Sequence, residues 1–154
     1  MKKLFLMRHA SAPHLHGMAD IERTLSESGK KEAEQAADFL AKNYQLDLII
    51  SSTAPRSIET AKIISKKSPL AKMVQEDLIY IGSKIDIIRY MEQLSDEYDN
   101  ICIVGHNPII SVIPESDIYN MKVMSTGQIN IFNVENWQDV NYSAKLIDRF
   151  VPVP

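Results

Sequence analysis

Apolar positions change their spacing repeatedly along the chain, and the changes divide it into short strands and longer helices. Leu4 to Met7 is an unbroken apolar run, followed from Arg8 to Thr24 by a loop rich in small residues and histidine. Ser26 is placed to cap a helix, with Glu27 favourably set in its first turn. Ala33, Ala36, Ala37, Leu40, Ala41 and Tyr44 then recur at steps of three and one, the spacing of an amphipathic helix. Asp47 to Ser51 reads as a buried strand, and Pro55 suits the first turn of a second helix carrying Ile58, Ala61 and Ile64. A weak strand at Met73 to Gln75 precedes a third helix marked by Ile85, Ile88, Met91, Leu94 and Tyr98. Ile101 to Val104 is the clearest strand, after which Asn107 can cap and Pro108 can start another helix. The tail changes character. Met121 to Met124, Gln128 to Val134 and Tyr142 to Phe150 look extended, with Gly127 and Asn136 as turn material.

Strands alternating with helices predict an α/β fold: a mostly parallel central sheet with helices on both faces, a three-layer α/β/α sandwich formed by residues 1–154 as a single domain. The late extended stretches predict an antiparallel edge. In such sheets ligands bind beyond the carboxyl ends of the strands. Three predicted strands end there in suggestive residues: Arg8-His9, then Ser51-Ser-Thr-Ala-Pro-Arg56, then Gly105-His106-Asn107-Pro108. Two of the three turns are also expected to present a helix N-terminus. If the sheet is parallel, Arg8, His9, Arg56 and His106 share one rim. Two guanidiniums and two imidazoles beside free backbone N–H groups suit a dianion, most naturally a phosphoryl group. Taken singly each residue has an ordinary structural reading, a solvated arginine or a hydrogen-bonded core histidine. Their joint appearance at three strand ends carries the argument. No carboxylate pair or cysteine cluster accompanies them, so the chemistry requires no metal or cofactor.

Composition narrows the classes. The 154 residues include 17 Lys or Arg and 20 Asp or Glu, a formal charge of −3, with 45% hydrophobic and 24% charged residues. That is ordinary globular composition, and the slight acidity argues against general nucleic-acid binding, which needs a basic face. The single cysteine, Cys102, lies in an apolar strand and reads as a core residue. The apolar run after Lys2 and Lys3 is too short for a secretion signal, and no run reaches the length of a membrane span, so a cytoplasmic, soluble protein is expected.

The ordered blocks Leu6-Met-Arg8-His9-Ala, Arg23-Thr-Leu-Ser-Glu-Ser-Gly29, Ser51-Ser-Thr-Ala-Pro-Arg56-Ser-Ile-Glu-Thr-Ala61 and Val104-Gly-His106-Asn-Pro108 resemble the histidine phosphatase superfamily, which has the phosphoglycerate-mutase-like fold. Met124-Ser-Thr-Gly127 and Lys145 to Pro152 fit as well. The small size and block order are most similar to the bacterial phosphohistidine phosphatases of the SixA type. The resemblance implies His9 as nucleophile, with Arg8, Arg56 and His106 clamping phosphoryl oxygens and Arg23 touching substrate. Asn107 and Ser11 are further substrate-binding candidates. It also implies hydrolysis through a phosphohistidine intermediate, His106 being protonated when phosphate is bound. Many members carry an acid for the leaving oxygen; in the matching region the candidates are Asp77 and Glu76. SixA-like proteins resemble one another in having no obvious acid, and a phosphoramidate leaving group depends less on one. Two departures stand out: Ala10-Ser11-Ala12 replaces the usual Gly and charged residue, and Val112 to Asp117 is shorter than the usual helix.

The expected partner is a phosphorylated protein or a small phosphorylated substrate. The alternatives are a small-molecule phosphomonoesterase of the same superfamily, a phosphoglycerate-type mutase, a non-catalytic phosphate-binding module, and a metal-dependent hydrolase using His14-Leu-His16 with Asp20 nearby. His14 and His16 are otherwise read as an exposed loop bordering the pocket. Tyr119 and Met121 are candidates for an interface or for packing at a sheet edge.

Overall fold

The computed structural model describes residues 1–116 and 122–154. Strand β1 (Lys2–Arg8) opens the chain, followed by helix α1 (Glu27–Asn43), β2 (Leu48–Ser51), α2 (Pro55–Lys67) and β3 (Lys72–Gln75). Next come α3 (Leu78–Ile81), α4 (Lys84–Glu92) and β4 (Asn100–Gly105), and the chain closes with β5 (Ile129–Val134), α5 (Val140–Ser143) and β6 (Lys145–Phe150). The described strands form one sheet in the order β3-β2-β4-β1-β5-β6. The pairs β3-β2, β2-β4 and β4-β1 are parallel, whereas β1-β5 and β5-β6 are antiparallel. The expected parallel sheet with an antiparallel edge is therefore present.

Strand alternation divides the core into two layers. Phe5 and Met7 of β1, with Ile49, Cys102 and Val104, pack against Ala36, Ala37 and Leu40 of α1 and Ala61 and Ile64 of α2. Leu4 and Leu6 turn the other way and join Ile50, Ile101 and Ile103 under Ile87, Ile88 and Met91 of α4 and Trp137. Helices cover both faces because the central strands are buried on both sides. Among the described residues no helix is long and apolar enough to cross a membrane.

Several expectations change. Among the described residues the segment after β4 forms no α-helix, only 3₁₀ geometry that includes the turn at Ile109–Ser111. Asn107 does not cap it: its Oδ1 accepts from the Ser111 hydroxyl and its Nδ2 donates to the Met124 carbonyl at 3.0 Å. Pro114 also disfavours further helix at Ile113. The third helix stops at Glu92, and Leu94 and Tyr98 pack on the core from the following loop. The closing stretch is not extended from Tyr142, because Val140–Ser143 is helical and the strand starts at Lys145. No strand forms at residues 122–124, while Tyr119 and Met121 lie outside the described residues.

One contact joins the first helix to the strand-end loop. Ser26 caps α1 by accepting from the Gly29 N–H at 3.0 Å, and its own N–H donates to the Ser11 carbonyl at 3.0 Å. A Cβ on Gly29 would lie 2.0 Å from that carbonyl oxygen. Gly29→Ala must push the helix start off the loop, so it is expected to destabilise the protein by about 1–3 kcal/mol, read as a lower urea midpoint.

Candidate active site

The parallel register levels the ends of three strands. Arg8 pairs with Gly105, and Ser51 pairs with Val104, so the chains leaving β1, β4 and β2 emerge side by side. Two further backbone bonds extend that register past the sheet: the His9 N–H donates to the Gly105 carbonyl at 3.1 Å, and the Ser52 N–H to the Val104 carbonyl at 3.2 Å. Pro55 then starts α2, which places Arg56 in its first turn with the residue only 4% exposed. The result is a cavity of about 300 Å³ lined by Arg8, His9, Asp20, Arg23, Arg56, Tyr80, His106 and Asn107.

His9 is the floor of this cavity, 4% exposed. Its Nδ1–H donates to the Ala10 carbonyl at 2.7 Å, which fixes the proton on that nitrogen and leaves Nε2 unprotonated, with its lone pair as an acceptor. Arg56 Nε–H points at this lone pair from 3.3 Å. The loop carrying the ring is held in turn by the Ala10 N–H, which donates to Thr60 Oγ1 at 3.1 Å.

Arg56 organises the rest. Its Nη2 lies 3.0 Å from Asp20 Oδ2 and 3.3 Å from His106 Nδ1, and its Nη1 donates to the Asp20 carbonyl at 3.0 Å. The two histidine rings are 5.1 Å apart. His106 Nε2 sits 2.7 Å from Ser52 Oγ and 3.2 Å from Ser57 Oγ. With Nδ1 accepting from Arg56, its proton belongs on Nε2, donated to those hydroxyls. Arg8 Nη1 donates to the Met124 carbonyl at 3.0 Å, while its buried Nε has no partner among the described residues. Arg23 donates to the Ala12 carbonyl from Nε and Nη2, at 3.2 and 2.7 Å, and to Asp20 Oδ1 from Nη1 at 3.0 Å.

Burial sets the protonation states. It pushes His9 down to about 4, with the nearby charges of Arg56, Arg8 and Arg23 adding to the effect. His106 falls to about 3 for the same first reason, helped by His9 and Arg56. Both imidazoles are therefore neutral near pH 7. Asp20 is held well below the usual carboxylate range, chiefly by the Tyr80 hydroxyl and then by Arg23 and Arg56. Three guanidiniums facing one carboxylate leave two positive charges at the cavity, in a chain whose net charge is −3. A dianion is the complementary guest.

Of the residues singled out in the sequence, Arg8, His9, Arg56, His106, Arg23 and Asn107 meet here. Ser11 does not. Its N–H and hydroxyl go to the Glu32 carboxylate, at 2.7 and 2.9 Å, and its Oγ also meets Thr126 Oγ1. Glu76 borders a separate groove and accepts from the Tyr90 hydroxyl at 3.3 Å; Asp77 is exposed at the start of α3. His14 and His16 are exposed, His14 Nε2 lying 3.0 Å from the Met18 carbonyl, and Asp20 faces the arginines instead. Among the described residues no group of three or more His, Cys, Asp or Glu side chains could hold a metal ion. Two lining residues carry more than the sequence suggested. The spacing Asp20-x-x-Arg23 was a readable sign, since one helical turn brings such a pair together. Tyr80 gave no comparable sign: its place depends on packing beside Arg56, 5.6 Å from the ring centroid, and His106, 5.3 Å away.

Comparison with known proteins identifies the family and the fold. A family model described as histidine phosphatase superfamily (branch 1) matches residues 4–81. The chain is 35% identical over 86 residues to the mitochondrial serine/threonine-protein phosphatase PGAM5 of Mus musculus, which covers 55% of this chain and 30% of that one. It thus spans less than a third of that relative's length. An uncharacterised protein of Mycobacterium leprae is 30% identical over 112 residues, covering 70% of this chain and 68% of its own. Among solved structures, a protein of Agrobacterium tumefaciens named after the phosphohistidine phosphatase SixA superposes with a TM-score of 0.83 at 26% identity, covering 98% of both chains. The protein histidine phosphatase SixA complexed with tungstate gives 0.82 at 17% identity, over 97% of both, a likeness of fold. With the family pattern spanning half its length and the SixA-type fold spanning nearly all of it, the chain belongs to the histidine phosphatase superfamily.

Proposed function

We propose that residues 1–154 form one histidine phosphatase domain that hydrolyses phosphorylated histidine side chains of proteins through a phosphohistidine intermediate on His9. The observation that carries this reading is the oriented ring of His9: proton held on Nδ1 by Ala10, lone pair on Nε2 facing Arg56. A neutral imidazole whose lone pair meets a guanidinium is arranged for a phosphoryl group that displaces this contact, phosphorus taking the lone pair and an oxygen the guanidinium. The Nε2 pair forms the new P–N bond while the bond to the leaving group breaks, its electrons going to that group. Arg56, Arg8 with its unpartnered Nε, and His106 receive the three equatorial oxygens. Water then attacks phosphorus, the bond to Nε2 breaks, and His9 regains its lone pair as phosphate departs. Charge neutralisation by guanidiniums suffices for both steps, and no metal is invoked.

The leaving group favours nitrogen. Neither Glu76 nor Asp77 lines the cavity, and the carboxylate that does, Asp20, is ionised. An alkoxide would depart without a proton donor, whereas an imidazole already protonated on its far nitrogen needs none. The name of the SixA protein that this chain resembles in fold supports the same substrate class.

Mixing the protein with a radiolabelled phosphohistidine peptide and quenching is expected to trap an acid-labile, base-stable phosphoenzyme. His9→Ala should abolish it, and Arg56→Ala should lower kcat/KM by about a hundred- to a thousandfold. A panel of substrates decides the rest: far faster hydrolysis of sugar or aryl phosphates than of phosphohistidine peptide would replace this reading with a small-molecule phosphomonoesterase. Binding without any phosphoenzyme would leave a phosphate-binding module.

His106 supplies a second test. It is neutral in the free protein and offers Arg56 a lone pair, but a phosphoryl oxygen there calls for a donor. A bound dianion raises the pKa of His106, so binding takes up protons and weakens as pH rises through the raised value. Calorimetric titration with tungstate, a dianion near pH 6.5, in two buffers of different ionisation enthalpy, should show uptake of about one proton, reduced in His106→Asn.

A further inference from the structure

Asp20 is the carboxylate among the groups lining the cavity, and the phosphoryl clamp does not use it. It stands on the 3₁₀ turn Asp20–Glu22, its side chain 48% exposed, while His9 below it is 4% exposed. Displacement at phosphorus runs in line, so a leaving group lies opposite His9, toward the rim where Asp20 stands. The carboxylate is fixed there from three sides. Tyr80 Oη donates to Oδ2 at 2.7 Å, Arg56 Nη2 to Oδ2 at 3.0 Å, and Arg23 Nη1 to Oδ1 at 3.0 Å. Oδ2 thus has both its lone pairs engaged, and Oδ1 keeps one for a further donor.

We propose that Asp20 is the specificity-determining residue of this site: its carboxylate accepts a hydrogen bond from the protonated far ring nitrogen of a phosphohistidine leaving group and so selects imidazole over alkoxide. The inference rests on the phosphohistidine reading above. As His9 Nε2 forms its bond to phosphorus, the substrate's P–N bond breaks and its electron pair stays on the substrate nitrogen. The ring already carries a proton on its other nitrogen, so it leaves as neutral imidazole, and no proton passes to or from the protein. Asp20 favours the protonated ring in which this departure is easiest. The same rim offers an alkoxide no proton, because Asp20 is ionised and its bond from Tyr80 raises the phenol's pKa. A carboxylate at the mouth also repels leaving groups that bring negative charge of their own.

The test compares kcat/KM for a phosphohistidine peptide with kcat/KM for p-nitrophenyl phosphate, whose leaving group departs without a proton. Asp20→Asn keeps the shape and removes the charge. The ratio should fall about tenfold to a hundredfold, the size of one lost charge-assisted hydrogen bond, and Asp20→Glu should restore most of it. Partial misfolding, or damage to the Arg56 clamp, lowers both rates and cancels in the ratio. If the wild-type protein prefers phosphohistidine to phosphoserine peptide and Asp20→Asn leaves the ratio unchanged, this assignment falls and the phosphohistidine reading stands. If the wild-type protein shows no such preference, both fall together.

Discussion

The site depends on the parallel register of β1, β4 and β2. Level strand ends put His9, His106 and the turn into α2 within reach of each other, although they are distant along the chain. A shift of one residue in β1 would turn Leu4 and Leu6 into the layer occupied by Phe5 and Met7, and two apolar cores oppose it. The precision of the cavity is therefore inherited from burial beneath it. The polar residues at the rim do not have to find one another; the sheet delivers them.

Within that frame the electrostatics are compensated without being cancelled. Arg56 is buried among two neutral imidazoles and meets its one carboxylate at the solvent end. A lone guanidinium at that depth would be costly, and Asp20 relieves the cost while leaving two net positive charges for a guest. The same surroundings keep both imidazoles neutral, the state that attack by one and proton uptake by the other would require in the proposed reaction.

Much of this was legible in the sequence because it follows local rules. Apolar spacing located α1 and α2, Ser26 announced its cap, and short apolar runs marked the central strands. Arg8, His9, Arg56 and His106 were legible for a geometric reason: strand ends in a parallel sheet converge. What was missed depends on side-chain partners that no periodicity or capping rule names. Asn107 looked like a helix cap, yet Ser111 and Met124 take its side chain. Ser11 looked like a pocket residue, yet Glu32 and Thr126 hold it. The acidic candidates Glu76 and Asp77 sat in the right stretch of chain, while the carboxylate in the cavity is Asp20, brought across the site by a loop whose path no periodicity encodes.

That loop is fastened in a divided way. Its first residues are pinned to the scaffold, His9 through Gly105, Ala10 through Thr60 and Ser11 through Glu32. Farther on, Asp20 and Arg23 are anchored by side chains, to Arg56 and to the Ala12 carbonyl. Between these anchorages, residues 13–18 form no strand or helix. Insertions or replacements there can reshape the mouth of the cavity while leaving the His9 ring where it is. The ring at the floor and the shape of the mouth above it are thus separable units of inheritance, free to diverge at different rates.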